Sequence, residues 1–228
     1  KIKNGKYIAY FQSFTNTYGD IDYLRSIFTE AINHPDIVAL SIGTRPDCLP
    51  DEVLNLLGEL NKFKPVWVEL GLQTIHENTA KYINRGYTLD VFNTAVNNLN
   101  KINVDVIVHL IIGLPFESKE DILESVKHVS SMNISGIKLQ LLHVLKNTPL
   151  EKEYFLNKFE VLSMEEYVDI IAECLRYIPK SIVIHRLTGD GPKSILVAPL
   201  WSGNKKAVLN YMNKRFNELN VIQGSLCS

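Results

Sequence analysis

The chain has 228 residues, of which 46% are hydrophobic and 21% charged, an ordinary composition for a globular protein. Its 24 basic and 25 acidic residues give a net charge of -1, so no strong overall field attracts nucleic acid, although a local basic patch stays open. No apolar run reaches the roughly 18 residues of a membrane span, and the first six residues lack the apolar segment of a secretory signal. We expect a cytoplasmic protein.

Segments with the pattern of strands and segments with the pattern of helices alternate along the chain. The predicted strands are Tyr7–Gln12, Ile37–Gly43, Val66–Gln73, Val104–Ile112, Ile137–His143 and Ile182–Arg186. The predicted helices are Asp20–Asn33, Pro50–Asn61, Thr74–Asn84, Thr88–Ile102, Ser118–Met132, Ser163–Tyr177 and Asn204–Leu219. Capping boxes are expected at Ser118 and Ser163, and Gly86 suits a C-terminal helix cap. Strands that alternate with helices predict an α/β fold with a parallel sheet.

Polar residues and glycines lie on or just after the carboxyl end of every predicted strand. In chain order they are Gln12; Thr44 and Arg45; Glu69, Gly71 and Gln73; His109 and Gly113; Gln140 and His143; His185 and Arg186. Both a doubly wound open sheet and a barrel fit the alternation. The carboxyl ends of barrel strands converge on one face, where barrel enzymes hold their active sites. This concentration of polar residues therefore favours a barrel with its site at that face.

The strand Val66–Gln73 carries the most informative pattern. Glu69, Gly71 and Gln73 share one of its faces, because successive side chains of a strand alternate in direction. A buried carboxylate needs a partner, which for Glu69 is either a ligand or a structural ion pair with Arg45 or Lys138. The amide of Gln73 can both donate and accept hydrogen bonds to a polar ligand.

The histidines and cysteines do not form a recognisable metal motif. His109 lies mid-strand and is interpreted as a core histidine, whereas His143 and His185 are open to either a core or a ligand role. No HxH, HExxH or paired-carboxylate spacing is present, so a metal bound by this chain alone is not expected. The three cysteines, at 48, 174 and 227, are too far apart for a zinc knuckle or a disulfide framework.

Five segments, in order, resemble radical S-adenosylmethionine (radical SAM) enzymes. They are Ser41–Asp47, Val68–Thr74, Asn84–Thr88, His109–Ser118 and Ile184–Asp190. The resemblance is to the YhcC/YtqA-like subgroup, which is related to the elongator catalytic subunit and the oxygen-independent coproporphyrinogen oxidases. It implies a partial (β/α)6 barrel. We accordingly expect a barrel core over residues 1–200 and a C-terminal helix, in residues 201–228, packed on it.

The resemblance also implies cofactors and positions for the site. Such enzymes bind SAM and a [4Fe-4S] cluster and form a 5′-deoxyadenosyl radical that abstracts a hydrogen from the substrate. The positions implied to contact the cofactor are Gln12, Glu69, Gln73, Gly113, Gln140 and His143. Thr44, Arg45, His185 and Arg186 would face cofactor or substrate. Relatives are implicated in modifying tRNA, including its wobble uridine, so tRNA is the implied partner.

One departure from the family pattern shapes these expectations. The CxxxCxxC loop that holds the cluster is absent, and so is the first barrel strand. The chain is therefore expected to be a fragment that is inactive alone, with its cluster ligands upstream. Its exposed barrel edge invites self-association through strand pairing. The alternative is a non-catalytic barrel module that binds a nucleotide or a protein.

The terminal helix offers a possible RNA contact. It carries Lys205, Lys206, Lys214, Arg215, Tyr211 and Phe216. These residues could form a small basic and aromatic surface. The other interpretation is a solvated helix face whose apolar side packs on the barrel.

Overall fold

A computed structural model describes residues 5–189 and 191–227, so Asp190 and the extreme ends of the predicted ranges 1–200 and 201–228 lie outside the described residues. The strands are β1 (Tyr7–Phe11), β2 (Ile37–Thr44), β3 (Val66–Gln73), β4 (Asp105–Ile112), β5 (Gly136–Leu141), β6 (Val144–Leu145), β7 (Val183–Arg186) and β8 (Leu196–Ala198). The helices are α1 (Ile21–Asn33), α2 (Asp51–Asn61), α3 (Glu77–Tyr82), α4 (Leu89–Lys101), α5 (Lys119–Ser130), α6 (Pro149–Phe155), α7 (Met164–Arg176) and α8 (Lys205–Glu218).

Six strands form a parallel sheet in the order β1-β2-β3-β4-β5-β7. The order follows the chain without a reversal. A doubly wound sheet has a point at which the strand order reverses, whereas a barrel adds each strand beside the last. The sheet order therefore confirms the predicted α/β fold and favours the barrel over the open sheet. The strand β1 lies at one edge of the order.

Contacts along the chain divide it into two compact units. The first contains residues 1–72, 86–109 and 133–136, and its core includes the fully buried Phe28, Leu40, Leu57 and Phe92. The second contains residues 73–85, 110–132 and 137–228. Its apolar cluster of Leu114, Leu142, Val144, Phe159 and Ala198 lies beside the antiparallel pair β6 and β8. The predicted boundary between residues 200 and 201 stays a prediction.

The sequence pattern does not predict helices or strands in the segment 144–162. It contains β6 and α6, which are two and seven residues long, and it pairs with the three-residue β8. Elements this short do not complete enough turns or alternations to produce a periodic pattern. The strand predicted to reach His143 ends at Leu141, so His143 lies in the connection between β5 and β6.

The helix predicted over Thr74–Asn84 is shorter than expected. It begins at Glu77, because side chains satisfy the preceding backbone amides: His76 N donates to Thr74 Oγ1 over 3.1 Å and Ile75 N to Ser125 Oγ over 3.3 Å. The cap predicted at Gly86 is wrong. Asn84 takes the left-handed conformation at φ 55°, and Arg85 N donates to Ala80 O over 2.9 Å. This is the Schellman arrangement, with asparagine in the usual place of glycine.

Both predicted capping boxes are present. Ser118 and Asp121 form one at the start of α5. At the start of α7, Glu166 N donates to Ser163 Oγ over 3.2 Å and Ser163 N donates to Glu166 Oε2 over 2.8 Å. These bonds satisfy amides that lack partners within the helix and thereby stabilise its first turn.

Ser163→Ala should lower the free energy of unfolding by about 1 kcal/mol, because it removes the acceptor for the Glu166 amide. Urea denaturation followed by circular dichroism measures the change. Ser26→Ala is the matched control, since Ser26 is exposed within α1 and alanine is the better helix former there. Equal stability losses in the two variants would contradict a capping role for Ser163.

Candidate functional site

A buried carboxylate lies at the centre of the first unit. Glu69 is 4% exposed on β3, and its oxygens accept three side-chain hydrogen bonds. Tyr10 Oη donates to Oε2 over 2.7 Å, His109 Nε2 lies 2.9 Å from the same oxygen, and Ser41 Oγ donates to Oε1 over 2.8 Å. Each donor comes from a different strand: Tyr10 from β1, Ser41 from β2 and His109 from β4. The carboxylate therefore links four consecutive strands.

The sequence left two interpretations of Glu69 open, a ligand contact or a structural ion pair. This arrangement decides between them only in part. Arg45, one predicted ion-pair partner, is instead held by Asp47, with Arg45 Nε 2.9 Å from Oδ1 and Nη2 2.6 Å from Oδ2 of that carboxylate. His109 forms a pair with Glu69, which agrees with its interpretation as a core histidine. A contact between Glu69 and a ligand stays a prediction.

The carboxyl ends of β1 and β2 place Gln12, Thr44 and Arg45 in different settings. Gln12 is exposed directly after β1. Thr44 is buried, and its hydroxyl lies 2.5 Å from that of Thr17. The Arg45 guanidinium is partly exposed and lies 5.3 Å from the centre of the Tyr87 ring. Its hydrogen bond with Asp47 raises the pKa of Arg45 and lowers the pKa of Asp47. Of the three, Gln12 and Arg45 are therefore the ones that a ligand could reach.

The glycine Gly86 makes room for this guanidinium. A Cβ at Gly86 would lie 3.1 Å from Arg45 Nη2, and its φ of +83° disfavours any other residue. Tyr87 fixes the other side of the guanidinium, because its hydroxyl donates to the Gly71 carbonyl. The sequence Asn84–Thr88 thus shapes the surroundings of Arg45, rather than capping a helix through Gly86.

In the second unit, Gln73 and Gly113 occupy strand ends with left-handed backbone. Gln73 ends β3 with φ 71°, an uncommon conformation for a residue with a side chain. Gly113 follows β4 with φ +85°, and a Cβ there would lie 2.9 Å from Leu162 Cδ1. The positive φ thus gives a structural reason for the glycine, which the sequence had related to a flat ligand. The ligand contact stays a prediction.

The other predicted positions of the second unit divide between packed and accessible residues. His143 Nε2 lies 3.0 Å from Ser202 Oγ, and a Cβ on Gly189 would come within 2.3 Å of the His143 ring. His143 is therefore packed against the backbone of the loop after β7. Gln140 is half-buried on β5. On β7, His185 is exposed and Arg186 half-buried.

A second hydrogen-bond network, around Glu117, was not predicted from the sequence. Thr74 Oγ1 donates to Glu117 Oε1 over 2.5 Å, and burial raises the pKa of Glu117. Arg85 is 5% exposed and donates to Thr74 O over 2.6 Å and to Glu77 Oε1 over 2.9 Å. The signal was available, because Thr74, Arg85 and Glu117 all lie in segments that carry the family resemblance. Their contacts, however, depend on folding and could not be read from spacing.

The described residues do not provide ligands for an iron–sulfur cluster. Cys48 is partly buried, Cys174 buried and Cys227 exposed, and burial is the main reason that the pKa values of the first two are raised, which disfavours the thiolates a metal requires. Within residues 5–189 and 191–227, the one group of metal-ligand side chains is His76, Asp121 and Glu124. SAM has amino, carboxylate and hydroxyl groups, for which the donors and acceptors of Gln12, Gln73 and Gln140 are chemically suited.

Comparisons with known proteins identify the family. The family model of the Radical SAM superfamily matches residues 1–129, and that of the Radical_SAM C-terminal domain matches residues 134–218. The chain belongs to the radical SAM superfamily. The uncharacterized protein YtqA of Bacillus subtilis is 46% identical over 224 residues, which is 98% of this chain and 70% of that protein. The predicted family resemblance is thereby confirmed.

Two further comparisons give a solved structure with a similar fold and a named relative. The archaeal Methanocaldococcus infernus Elp3 with an N-terminal deletion matches with a TM-score of 0.78 at 22% identity, covering 96% of this chain and 56% of that one. This likeness confirms the radical SAM type of partial α/β barrel. The tRNA uridine(34) acetyltransferase of Methanocaldococcus jannaschii is 26% identical over 181 residues, which is 78% of this chain and 33% of that protein.

The membrane-span expectation can also be compared with the structure. None of the helices in the described part of the chain combines the length and the apolarity that crossing a membrane requires.

Glu69→Ala should lower the free energy of unfolding by about 3 kcal/mol, since it leaves the Tyr10, Ser41 and His109 donors without their shared acceptor. Tyr10→Phe should cost about 1 kcal/mol, because a single hydrogen bond is lost. Urea denaturation measures both changes. Glu59→Ala is the control, as its pair with Arg25 is exposed and should contribute less than about 1 kcal/mol. If Glu69→Ala were no more costly than Glu59→Ala, the network would not stabilise the sheet.

Glu117→Gln should stabilise the protein increasingly as pH rises. Because the folded pKa of Glu117 is raised above 4.5, the folded state holds this proton at pH values where the unfolded chain has lost it. This contribution to stability is therefore present at low pH and is lost as pH rises through the folded pKa. The glutamine does not titrate, and its carbonyl can still accept from Thr74.

Urea denaturation at intervals from about pH 4 to about pH 7 tests this expectation. The difference in unfolding free energy between variant and parent should change with pH in the variant's favour. A difference that is constant over the range would show that Glu117 titrates in the folded protein as it does in the unfolded chain.

Proposed function

We propose that this chain is the barrel core of a cytoplasmic radical SAM enzyme that binds SAM at the carboxyl ends of its strands and modifies tRNA. The observation that carries the proposal is the membership of the radical SAM superfamily, which uses SAM and a [4Fe-4S] cluster. When bound with a reduced cluster, SAM would supply the radical chemistry for removing a hydrogen atom from substrate, and residues of this chain would hold the SAM. Since the described residues do not hold a cluster, its ligands would have to come from elsewhere.

The proposed roles of this chain are binding and orientation. Gln73 would bind the ribose and methionine side of SAM, and Gln12 would bind near the methionine amino group. Gly113 would contact adenine through backbone groups. Gln140 and His143 would flank the adenine, with His143 supported by the packing of Gly189 on its ring. This division assigns amides to the polar edges of SAM and backbone to its flat ring.

Glu69 is proposed to act partly through its neighbours. Both of its oxygens already accept hydrogen bonds, so its direct capacity for a ligand is small. It holds Tyr10 and His109 in fixed positions on β1 and β4.

Thr44, Arg45, His185 and Arg186 are proposed for the substrate side. Arg45 and Arg186 suit phosphate groups, because a guanidinium offers a planar set of donors. Thr44 is buried against Thr17, so its contribution would be to position the loop that follows β2. His185 is exposed on β7, where a large substrate could contact it.

The proposed tRNA substrate is supported by the relative named tRNA uridine(34) acetyltransferase. On α8, Arg215 is held by Asp169, with Nε 2.7 Å from Oδ1, and Lys214 lies 3.7 Å from Glu218. Lys214 and Arg215 therefore contribute less to the predicted basic surface than their charges alone suggest. Self-association through the edge strand β1 stays a prediction.

A second candidate is a non-catalytic binding module. The observation that favours it is the lack of cluster ligands among the described residues. The two candidates differ in one measurable property, because a binding module would not cleave SAM even after anaerobic addition of iron and sulfide.

Gln73→Ala should weaken SAM binding by roughly tenfold, as expected for the loss of one or two hydrogen bonds to a polar ligand. The measurement is equilibrium binding of SAM to the protein encoded by an extended reading frame that includes a CxxxCxxC loop. The cluster is reconstituted anaerobically before the measurement. 5′-Deoxyadenosine formation by the parent tests catalysis in the same preparation.

Gln223→Ala is the amide-matched control, because Gln223 donates to the carbonyls of Pro179 and Ile182 rather than to a predicted site. Equal SAM affinities of Gln73→Ala and the parent would remove Gln73 from the site. Absence of 5′-deoxyadenosine from a cluster-loaded parent would favour the binding module.

A further inference from the structure

The loop between β1 and α1 displays two aromatic rings that the proposed SAM site does not use. Phe14 is 98% exposed and Tyr18 is 83% exposed. Rings of this size are normally buried to a large extent, because each removes much apolar surface from water. Neither ring is among the buried residues that form the core of the first unit.

The loop that carries these rings is fixed rather than loosely attached. Asn16 Nδ2 donates to Phe11 O over 3.0 Å and to Gly43 O over 2.8 Å. Thr17 is buried, and its hydroxyl donates to Cys48 O over 2.5 Å. Asn16 and Thr17 therefore anchor the loop between the two rings. A fixed backbone lowers the entropy lost when a ligand settles on the exposed side chains.

The backbone of Phe14 is itself unusual. Its φ is +62°, in the left-handed region that a bulky residue normally avoids. Strained conformations of this kind persist where the surrounding structure enforces them and are frequent at ligand sites. Here the conformation holds a ring in solvent instead of folding it onto the sheet.

The chemistry around the rings favours a stacking ligand over a protein partner. The intervening and neighbouring residues are polar, Gln12, Ser13, Thr15 and Asn16, so the rings do not form a continuous apolar patch. Binding hot spots between proteins lie within surroundings that exclude water. Flat rings separated by amides and hydroxyls instead suit unpaired bases, which stack on an aromatic face and present hydrogen-bonding edges beside it.

The position of the loop adds a cation and the strand ends to this surface. Asn16 N donates to Gly43 O over 3.2 Å, and the Thr17 hydroxyl contacts that of Thr44, so the loop lies against the carboxyl end of β2. Arg45 is the next residue and is partly exposed. With a net charge of -1 for the whole chain, stacking rather than overall attraction would supply most of the affinity.

We propose that Phe14 and Tyr18 form a stacking platform for unpaired bases of an RNA. The proposal rests on the proposed function for the assignment of RNA as the substrate class. It goes further by naming the surface that receives single-stranded nucleotides, at the end of β1 in the first unit.

The test measures binding of a fluorescently labelled, single-stranded decauridylate to the 228-residue chain by anisotropy. Phe14→Ala and Tyr18→Ala should each weaken binding by about tenfold, within the range for losing one base stack. Phe63→Ala is the matched control, because Phe63 is 63% exposed in the same unit but precedes the amino end of β3. Thermal unfolding of each variant confirms that it remains folded.

A decamer with the same phosphates but abasic sugars separates stacking from charge. It should bind more weakly than decauridylate by at least the combined effect of the two variants. The platform is overturned if the parent does not bind decauridylate, if the Phe14 and Tyr18 variants bind it as well as Phe63→Ala does, or if the abasic decamer binds equally well. Light scattering adds a further arm: self-association that both variants abolish, with RNA affinity unchanged, would assign the rings to a protein interface.

This outcome is distinguishable from a failure of the proposed function. RNA binding by this chain requires neither SAM nor a cluster, whereas the proposed function is tested by SAM binding and cleavage. If the alanine variants lose RNA affinity and the cluster-loaded protein does not cleave SAM, the stacking platform is supported. Only the catalytic proposal then fails.

Discussion

The buried carboxylate of Glu69 is the constraint on which the first unit depends. Desolvation of a carboxylate is costly, and it is offset here because three donors converge on two oxygens. Those donors come from three other strands, so the cost is met only when β1, β2, β3 and β4 are all in register. A slip of one residue in any of these strands would turn its polar side chain to the opposite face. The carboxylate therefore selects a single sheet arrangement as well as stabilising it.

The fold was predictable because its signals are periodic and local. The bounds of β3 follow from eight residues of strict alternation, and the starts of α5 and α7 follow from serine and acid three residues apart. Local patterns did not predict the start of α3, because the side chains of Thr74 and Ser125 accept hydrogen bonds from amides that would otherwise begin the helix. The second of those contacts joins residues fifty positions apart, so no local pattern could contain it.

The strand positions of the candidate site residues were more predictable than the contacts that these residues make. The alternation of side chains along β3 placed Glu69 on a buried face. It could not show that Tyr10 and His109 would share one of the Glu69 oxygens. Likewise, Gly113 was recognised as a position that needs glycine, but its φ of +85° and its approach to Leu162 appear only in the folded chain. Residue types thus indicate where chemistry is possible, and tertiary packing decides which groups are left accessible to a ligand.

The packing of Gly189 and Gly191 on the His143 ring limits how this region can change. Any side chain at Gly189 would have to occupy space that the imidazole already fills. A larger residue at Gly189 would therefore have to be accompanied by a smaller one at position 143. Single substitutions in this loop should therefore be costly, and changes there should occur as pairs that include the histidine.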